Sequence, residues 1–179
     1  MASVLEAIRY RNEPTPTLDI LDQLQLPHKT VYLSIRSAED GWKAIKTMST
    51  RGAPAIAIVA ALSLAVEIAN TASVQSNSPD GAKKFIQDKL VYLVTSRPTA
   101  VNLEDAARKL SSVVNTAASA SNATGQSVVL DYITAAEAML LKDVEDNTAI
   151  GQNGAEWMIR NIPSSQKRNL NVITHCNTG

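Results

Sequence analysis

Apolar positions along this chain fall into three regimes. Up to residue 36 they alternate with polar ones in short runs. From 37 to 162 they return every three or four residues. After a polar stretch at 164–169 a short apolar run follows. In the first region Val31, Leu33 and Ile35 alternate with Tyr32, Ser34 and Arg36, the period-two pattern of a half-buried strand. Leu18 and Ile20 alternate with Asp19 less fully, and Leu5–Tyr10 is a weaker third candidate. Turns at Asn12-Glu13-Pro14-Thr15-Pro16 and Pro27-His28 separate them, so a small three-stranded antiparallel sheet is predicted over about 4–36. His28 reads as a solvated turn residue.

The second region predicts helices. Ser37 is a good N-cap, with Glu39 and Asp40 in the first turn and Trp42, Ile45 and Met48 on one face. Pro54 to Val66 contains no charged side chain, which predicts a helix buried on every side and too short to span a bilayer. Asn70–Asp80 is small and polar and reads as a surface loop, with Ser78-Pro79 opening a third helix through Ala82, Phe85, Ile86, Leu90 and Leu93. Pro98 ends it. Near Asn102 another begins, carrying Leu103, Ala106, Ala107, Leu110, Val113, Val114 and Ala117 on one face. Ser119–Gln126 reads as a loop and Val128–Asp146 as a long helix using Val129, Tyr132, Ala136, Met139 and Leu140. Ile150–Ala155 then opens a shorter helix, ended before Pro163, in which Gly151 and Gly154 would allow close helix approach.

Ser164–Asn169 reads as a linker. Leu170–Cys176 has a strand pattern and runs into Asn177-Thr178-Gly179, a turn of the kind that leads from strand to helix in an α/β sheet. The expected architecture is therefore an α+β domain over 1–165, with a small antiparallel sheet and a helical bundle. The first strand of an incomplete Rossmann-like domain would follow over 166–179. On this reading the chain is cut short.

Composition narrows the function classes. Hydrophobic residues are 45% and charged residues 19%, ordinary values for a globular protein, and seventeen basic residues balance seventeen acidic ones. That balance lacks the basic footprint of a nucleic-acid binder. The opening residues lack the apolar core of a signal peptide, and one cysteine suits a reducing compartment. Two histidines and that cysteine make a poor metal set. An intracellular, metal-free protein without membrane or nucleic-acid partners is expected.

Three stretches could carry chemistry. In Thr50-Arg51-Gly52-Ala53-Pro54, Gly52 permits a sharp turn and Arg51 stands beside the N-terminus of the apolar helix. Free N–H groups, the positive end of the helix dipole and a guanidinium together suit a phosphate. The plain structural reading is a core helix preceded by a solvated arginine, and spacing alone favours it. Arg97 in Ser96-Arg97-Pro98-Thr99 could equally be a cation at a helix C-terminus. Cys176 could equally be a small buried residue at a strand end, and in a strand His175 would face the other way.

Arg51-Gly52-Ala53-Pro54-Ala55, Arg97-Pro98-Thr99-Ala100-Val101-Asn102 and Thr174-His175-Cys176-Asn177-Thr178-Gly179, in this order, resemble the methylthioribose-1-phosphate isomerase family. Leu5–Tyr10 and the Asp146–Ala155 stretch are similar as well. That family shares its fold with regulatory subunits of the translation-initiation guanine-nucleotide exchange factor and with ribose-1,5-bisphosphate isomerase. The resemblance implies an aldose–ketose isomerisation in methionine salvage, methylthioribose 1-phosphate becoming methylthioribulose 1-phosphate. It assigns substrate binding to Arg51, Gly52, Ala53 and Arg97, and assistance to hydrogen transfer to Cys176. It places the general-acid aspartate in a second domain beyond this chain, so an inactive portion is expected. It implies no metal or nicotinamide, a homodimer, and a cytoplasmic location that extends to the nucleus. The rival readings are a non-catalytic interaction module akin to the exchange-factor subunits and a relative of ribose-1,5-bisphosphate isomerase.

Overall fold

The computed structural model describes residues 5–163 and 171–173. Strands β1 (Ile8–Arg11), β2 (Thr17–Leu21) and β3 (Tyr32–Ile35) form one antiparallel sheet in the order β1-β2-β3. The register sets Tyr10 against Leu18 and Leu18 against Ile35, and sets Ile8 against Ile20 and Ile20 against Leu33. Leu18, Ile20 and Ile35 are buried. The residues alternating with them show the opposite face, where the Arg9 guanidinium lies 3.7 Å from the Tyr32 ring centre and Ser34 donates to Asp19 at 2.6 Å. Period-two alternation thus did its work: the sheet stands where the pattern put it.

Helix α1 (Ala38–Lys46) starts at Ser37, whose hydroxyl accepts from the Asp40 amide at 3.2 Å. Its buried face is Ala38, Gly41, Ala44 and Ile45 rather than the expected Trp42–Ile45–Met48 stripe. Trp42 is half-buried, and Met48 lies past the helix end with a left-handed φ of 62°. The face turned inward is the one with small side chains, because a Cβ on Gly41 would stand 2.3 Å from the Ser63 hydroxyl. Helix α2 (Ala53–Ala69) is that neighbour, and twelve of its 17 residues are buried. It contacts α1, three later helices, β1 and β2, which is why apolar residues occupy all its sides.

The expected loop at 70–80 contains a short helix, α3 (Ala72–Gln75), whose Val74 is buried. Helix α4 (Pro79–Val94) opens at Ser78, whose side chain accepts from the Gly81 amide, and buries Ala82, Ile86, Leu90 and Leu93. Helix α5 (Val101–Ala118) buries Leu103, Ala106, Leu110, Val114 and Ala117. Helix α6 runs unbroken from Gly125 to Asn161, where two helices were expected. A Cβ added to Gly151 or Gly154 would meet nothing within 4 Å, so neither glycine serves a close helix contact among the described residues.

The chain divides into two compact units between Met139 and Leu140. The first holds the sheet and α1–α5, with Tyr132 of α6 fully buried and its hydroxyl donating to the Ala61 carbonyl at 3.1 Å. In the second, Leu141, Val144, Ile150, Trp157 and Ile159 are exposed. Asn171–Ile173 take no regular secondary structure. The other residues of the expected 170–176 strand, and the expected linker at 164–169, lie outside the described residues.

Candidate functional site

The link from α1 to α2 is built by backbone bonds. Ser49 is tied to the sheet through Gln23, whose amide donates to its carbonyl at 2.9 Å, and the Thr50 amide donates to Ala44 at 3.3 Å. Both Ser49 and Thr50 are buried. Gly52 then takes φ 96°, a value that residues bearing a Cβ rarely adopt, and its carbonyl accepts the Ile56 amide to begin α2. No side chain caps this helix. Among the described residues the Gly52 and Ala53 amides donate to nothing in the protein, and both residues are exposed. The half-buried Arg51 donates from Nε to the Met48 carbonyl at 3.3 Å and has no carboxylate partner among the described residues.

A second link, residues 95–100 between α4 and α5, is held as firmly. Ser96 is buried and donates to the Leu93 carbonyl at 2.6 Å. Trp42 donates from Nε1 to the Thr95 hydroxyl at 2.8 Å and stacks on Tyr92 with ring centres 5.8 Å apart. Tyr92 in turn donates to Glu39. That hydrogen bond holds the Glu39 carboxyl below its usual range and pushes Tyr92 up to about 12. Arg97 is half-buried, and its guanidinium has neither hydrogen bond nor ion pair among the described residues. The sequence carried no signal for this Trp42–Tyr92–Glu39 cluster, because its members lie on two helices.

Cross-contacts fix where the two links stand. Lys89 pairs with Glu67 at 2.6 Å, while a Cβ on Gly41 would touch both Ser63 and Leu93. Advancing along α4 therefore means retreating along α2, so these helices are antiparallel. Gln87 donates to Asn115 at 3.1 Å and α5 packs along α4, returning after a short link, so α5 is antiparallel to α4 as well. The starts of α2 and α5 thus lie at one end of the helical layer, together with Arg51 and Arg97. Two positive dipole ends and two guanidiniums without carboxylate partners share that end. Such an arrangement attracts an anion with several acceptor oxygens. Cys176 lies outside the described residues. So does His175.

Groups of three or more His, Cys, Asp or Glu side chains able to hold a metal are absent among the described residues. No described helix is long and apolar enough to cross a membrane.

A family model described as the initiation factor 2 subunit family matches residues 49–179. The methylthioribose-1-phosphate isomerase of Aspergillus fumigatus is 53% identical over 182 aligned positions, covering 100% of this chain and 46% of that protein. The protein of the same name from Talaromyces stipitatus is 53% identical over 177 positions, covering 98% of this chain and 45% of its own. Among solved structures, 5-methylthioribose 1-phosphate isomerase from Pyrococcus horikoshii OT3 matches with a TM-score of 0.75 and 25% identity, over 86% of this chain and 41% of that one. The delta subunit of translation initiation factor eIF-2B from A. fulgidus matches with a TM-score of 0.71 and 28% identity, over 86% and 42%. The chain spans less than half the length of the curated relatives it matches.

Proposed function

The chain belongs to the initiation factor 2 subunit family, and from that premise we propose that it supplies the N-terminal part of an aldose–ketose isomerase acting on 5-methylthioribose 1-phosphate. The observation that carries this reading is the 53% identity to proteins of that name, sustained over the whole chain. The reaction sets demands that can be compared with the site. Phosphate on C1 prevents the sugar ring from opening as a free hemiacetal does. An acid must therefore protonate the ring oxygen while hydrogen moves from C2 to C1, and the phosphate must be held still throughout.

In this proposal the Gly52 and Ala53 amides, with Arg51 and Arg97, bind the phosphate. Their free donors and shared end of the helical layer support that assignment. Cys176 assists the hydrogen transfer, a role that rests on the family resemblance alone. The acid is an aspartate of a second domain outside these residues. The enzyme works as a homodimer in the cytoplasm, without a metal or nicotinamide cofactor.

The test is an assay for 5-methylthioribulose 1-phosphate with purified 1–179 beside the Aspergillus fumigatus relative. Losing a positioned acid costs about 10²–10⁴-fold, and losing the second wall of the cleft costs more, so turnover by 1–179 should fall at least that far below the relative. Turnover within about tenfold of it would mean that a carboxylate of this chain serves as the acid.

A second reading has its own observation, the likeness to the eIF-2B delta subunit. In that reading the chain is an interaction module. A thermal-shift titration with 5-methylthioribose 1-phosphate separates the two. Stabilisation that Arg51→Ala or Arg97→Ala removes supports the isomerase, and no stabilisation supports the module.

A further inference from the structure

At the far end of α2 from Gly52, the ends of the sheet strands and the last turn of the helix enclose a cleft of about 530 Å³. Helix α2 has 17 residues, so about 25 Å of helix separates this cleft from the Arg51–Ala53 turn. Its lining includes Arg11 from the end of β1, Thr15 and Thr17 from the start of β2, and Arg36 from the end of β3. Asp19 and Ser34 stand beside them.

Two cations without carboxylate partners meet there. Most of its described cations have a carboxylate within ion-pair reach, as Arg9 has Glu6 and Lys89 has Glu67. Arg11 and Arg36 have none among the described residues, although both line one cleft. The Thr15 and Thr17 hydroxyls also make no hydrogen bond among the described residues. Two acidic groups nearby each accept one hydrogen bond, and neither forms an ion pair with an arginine among the described residues. Asp19 accepts the Ser34 hydroxyl at 2.6 Å, and Asp40 accepts the Arg36 backbone amide at 3.0 Å.

A duller explanation is that the arginines answer the carbonyls at the C-terminus of α2. Asn70 weakens it. Its side-chain amide donates to the Val66 carbonyl at 2.9 Å and reaches Pro16 at 3.4 Å, and its backbone amide also donates to Val66. That carbonyl is satisfied without an arginine.

We propose that this cleft is an anion site, distinct from the one at the start of α2, which binds a phosphate monoester through Arg11, Arg36 and the Thr15 and Thr17 hydroxyls. Arg11 and Arg36 are exposed arginines lining one cleft, and a dianion bound between them would form two charge-assisted pairs. The volume falls within the ~300–1,000 Å³ usual for small-molecule pockets and exceeds what bare phosphate fills. The rest of the ligand is therefore a polar carrier, with Asp19 and Ser34 placed to hydrogen-bond its hydroxyl groups.

The experiment is an NMR titration of the ¹⁵N-labelled chain, following the arginine Nε–Hε signals, with inorganic phosphate in one series and ribose 5-phosphate in another. The signals of Arg11 and Arg36, assigned by their loss in variants, should shift saturably in both series. Ribose 5-phosphate should saturate at the lower concentration. Arg11→Ala and Arg36→Ala should each weaken binding at this cleft about tenfold or more. Arg51→Ala and Arg97→Ala should leave it unchanged, which keeps the outcome separate from that of the isomerase reading. Should an alanine variant unfold, Arg11→Lys keeps the charge, loses the fork and should weaken binding by less. Shifts that grow linearly without saturating, or saturable binding unaffected by Arg11 and Arg36 substitutions, would overturn the proposal. Equal affinity in the two series would overturn the carrier and leave a site for free phosphate.

Discussion

Gly41 and Gly52 are glycines for different reasons, and only one of those reasons can be read from a sequence. Gly52 has room for a methyl group, its nearest neighbour being the Ala55 Cβ at 3.9 Å, but its φ of 96° strains any residue with a Cβ. Gly52→Ala should cost about 1–3 kcal/mol in urea unfolding. Its place just ahead of Pro54 announced a turn before a helix. Gly41 has ordinary helical geometry and no room, because Ser63 stands where a Cβ would go. Gly41→Ala should cost about 1–3 kcal/mol. Adding Ser63→Gly should recover part of that loss, giving a double-mutant coupling that Gly52→Ala lacks; strictly additive costs would refute the contact. That close approach belongs to two helices packed together, so the local pattern around Gly41 was silent about it. Tyrosines offer a pH test at the same scale. Burial pushes Tyr132 well above its ordinary 10.0, and burial followed by the hydrogen bond to Glu137 does the same for Tyr10. Both folded values exceed the unfolded ones, so the native state holds the protons more tightly. Their contribution is intact below pH 10 and is lost as pH rises beyond it. Urea midpoints should fall above pH 10, and Tyr132→Phe should make that fall shallower, besides costing about 1 kcal/mol at neutral pH through the Ala61 hydrogen bond. An equally steep fall in the variant would sink the assignment.

Elements were legible where the hydrophobic pattern and the end signals agreed. Ser37 and Ser78 both cap helices as their sequences announced, and Ser37→Ala or Ser78→Ala should each lower stability by about 1 kcal/mol. Helix α2 was plain because nothing but a core tolerates thirteen successive uncharged residues from Pro54 to Val66. Helix α3 was hidden, since only Val74 of its four residues is buried and the rest resemble a loop. In α6 the glycines misled. Gly151 and Gly154 cost a helix about 1 kcal/mol each relative to alanine, yet the turns on both sides of them remain helical. With nothing within 4 Å of either added Cβ, Gly151→Ala and Gly154→Ala should each strengthen α6 by up to about 1 kcal/mol. Increased helical circular dichroism at moderate temperature would show it. The arginine links were half legible. Arg51-Gly52 and Arg97 could be named from the sequence, whereas their shared end of the bundle follows from the direction of α4 between α2 and α5. The direction in which packed helices run is a tertiary property.

For the whole molecule, the division between Met139 and Leu140 matters because the two units bury such different amounts of apolar surface. In the first, α2 is enclosed by other elements, and each buried leucine, isoleucine or valine contributes roughly 1.5–3 kcal/mol relative to exposure. Opening α2 therefore requires unfolding that unit. In the second, the described part of α6 beyond Met139 has exposed side chains at Leu141, Val144, Ile150, Trp157 and Ile159, and its ion pairs are surface pairs such as Lys142–Asp146 and Arg160–Glu156 at i,i+4 spacing. Such pairs contribute about 0.3–0.5 kcal/mol each. A helix segment resting on its own propensity is marginal in water even near 20 residues, and this one contains two glycines. Hydrogen exchange should separate the units sharply. Amides of Ile58–Leu64 should exchange only through global unfolding, while those of Glu145–Met158 should open locally and exchange orders of magnitude faster. Binding of a partner or of another part of a longer chain over the exposed side chains would slow the second set without changing the first. If 1–179 alone protects Glu145–Met158 as strongly as Ile58–Leu64, that segment is covered in solution, and self-association through its apolar side chains becomes the explanation to test by sedimentation.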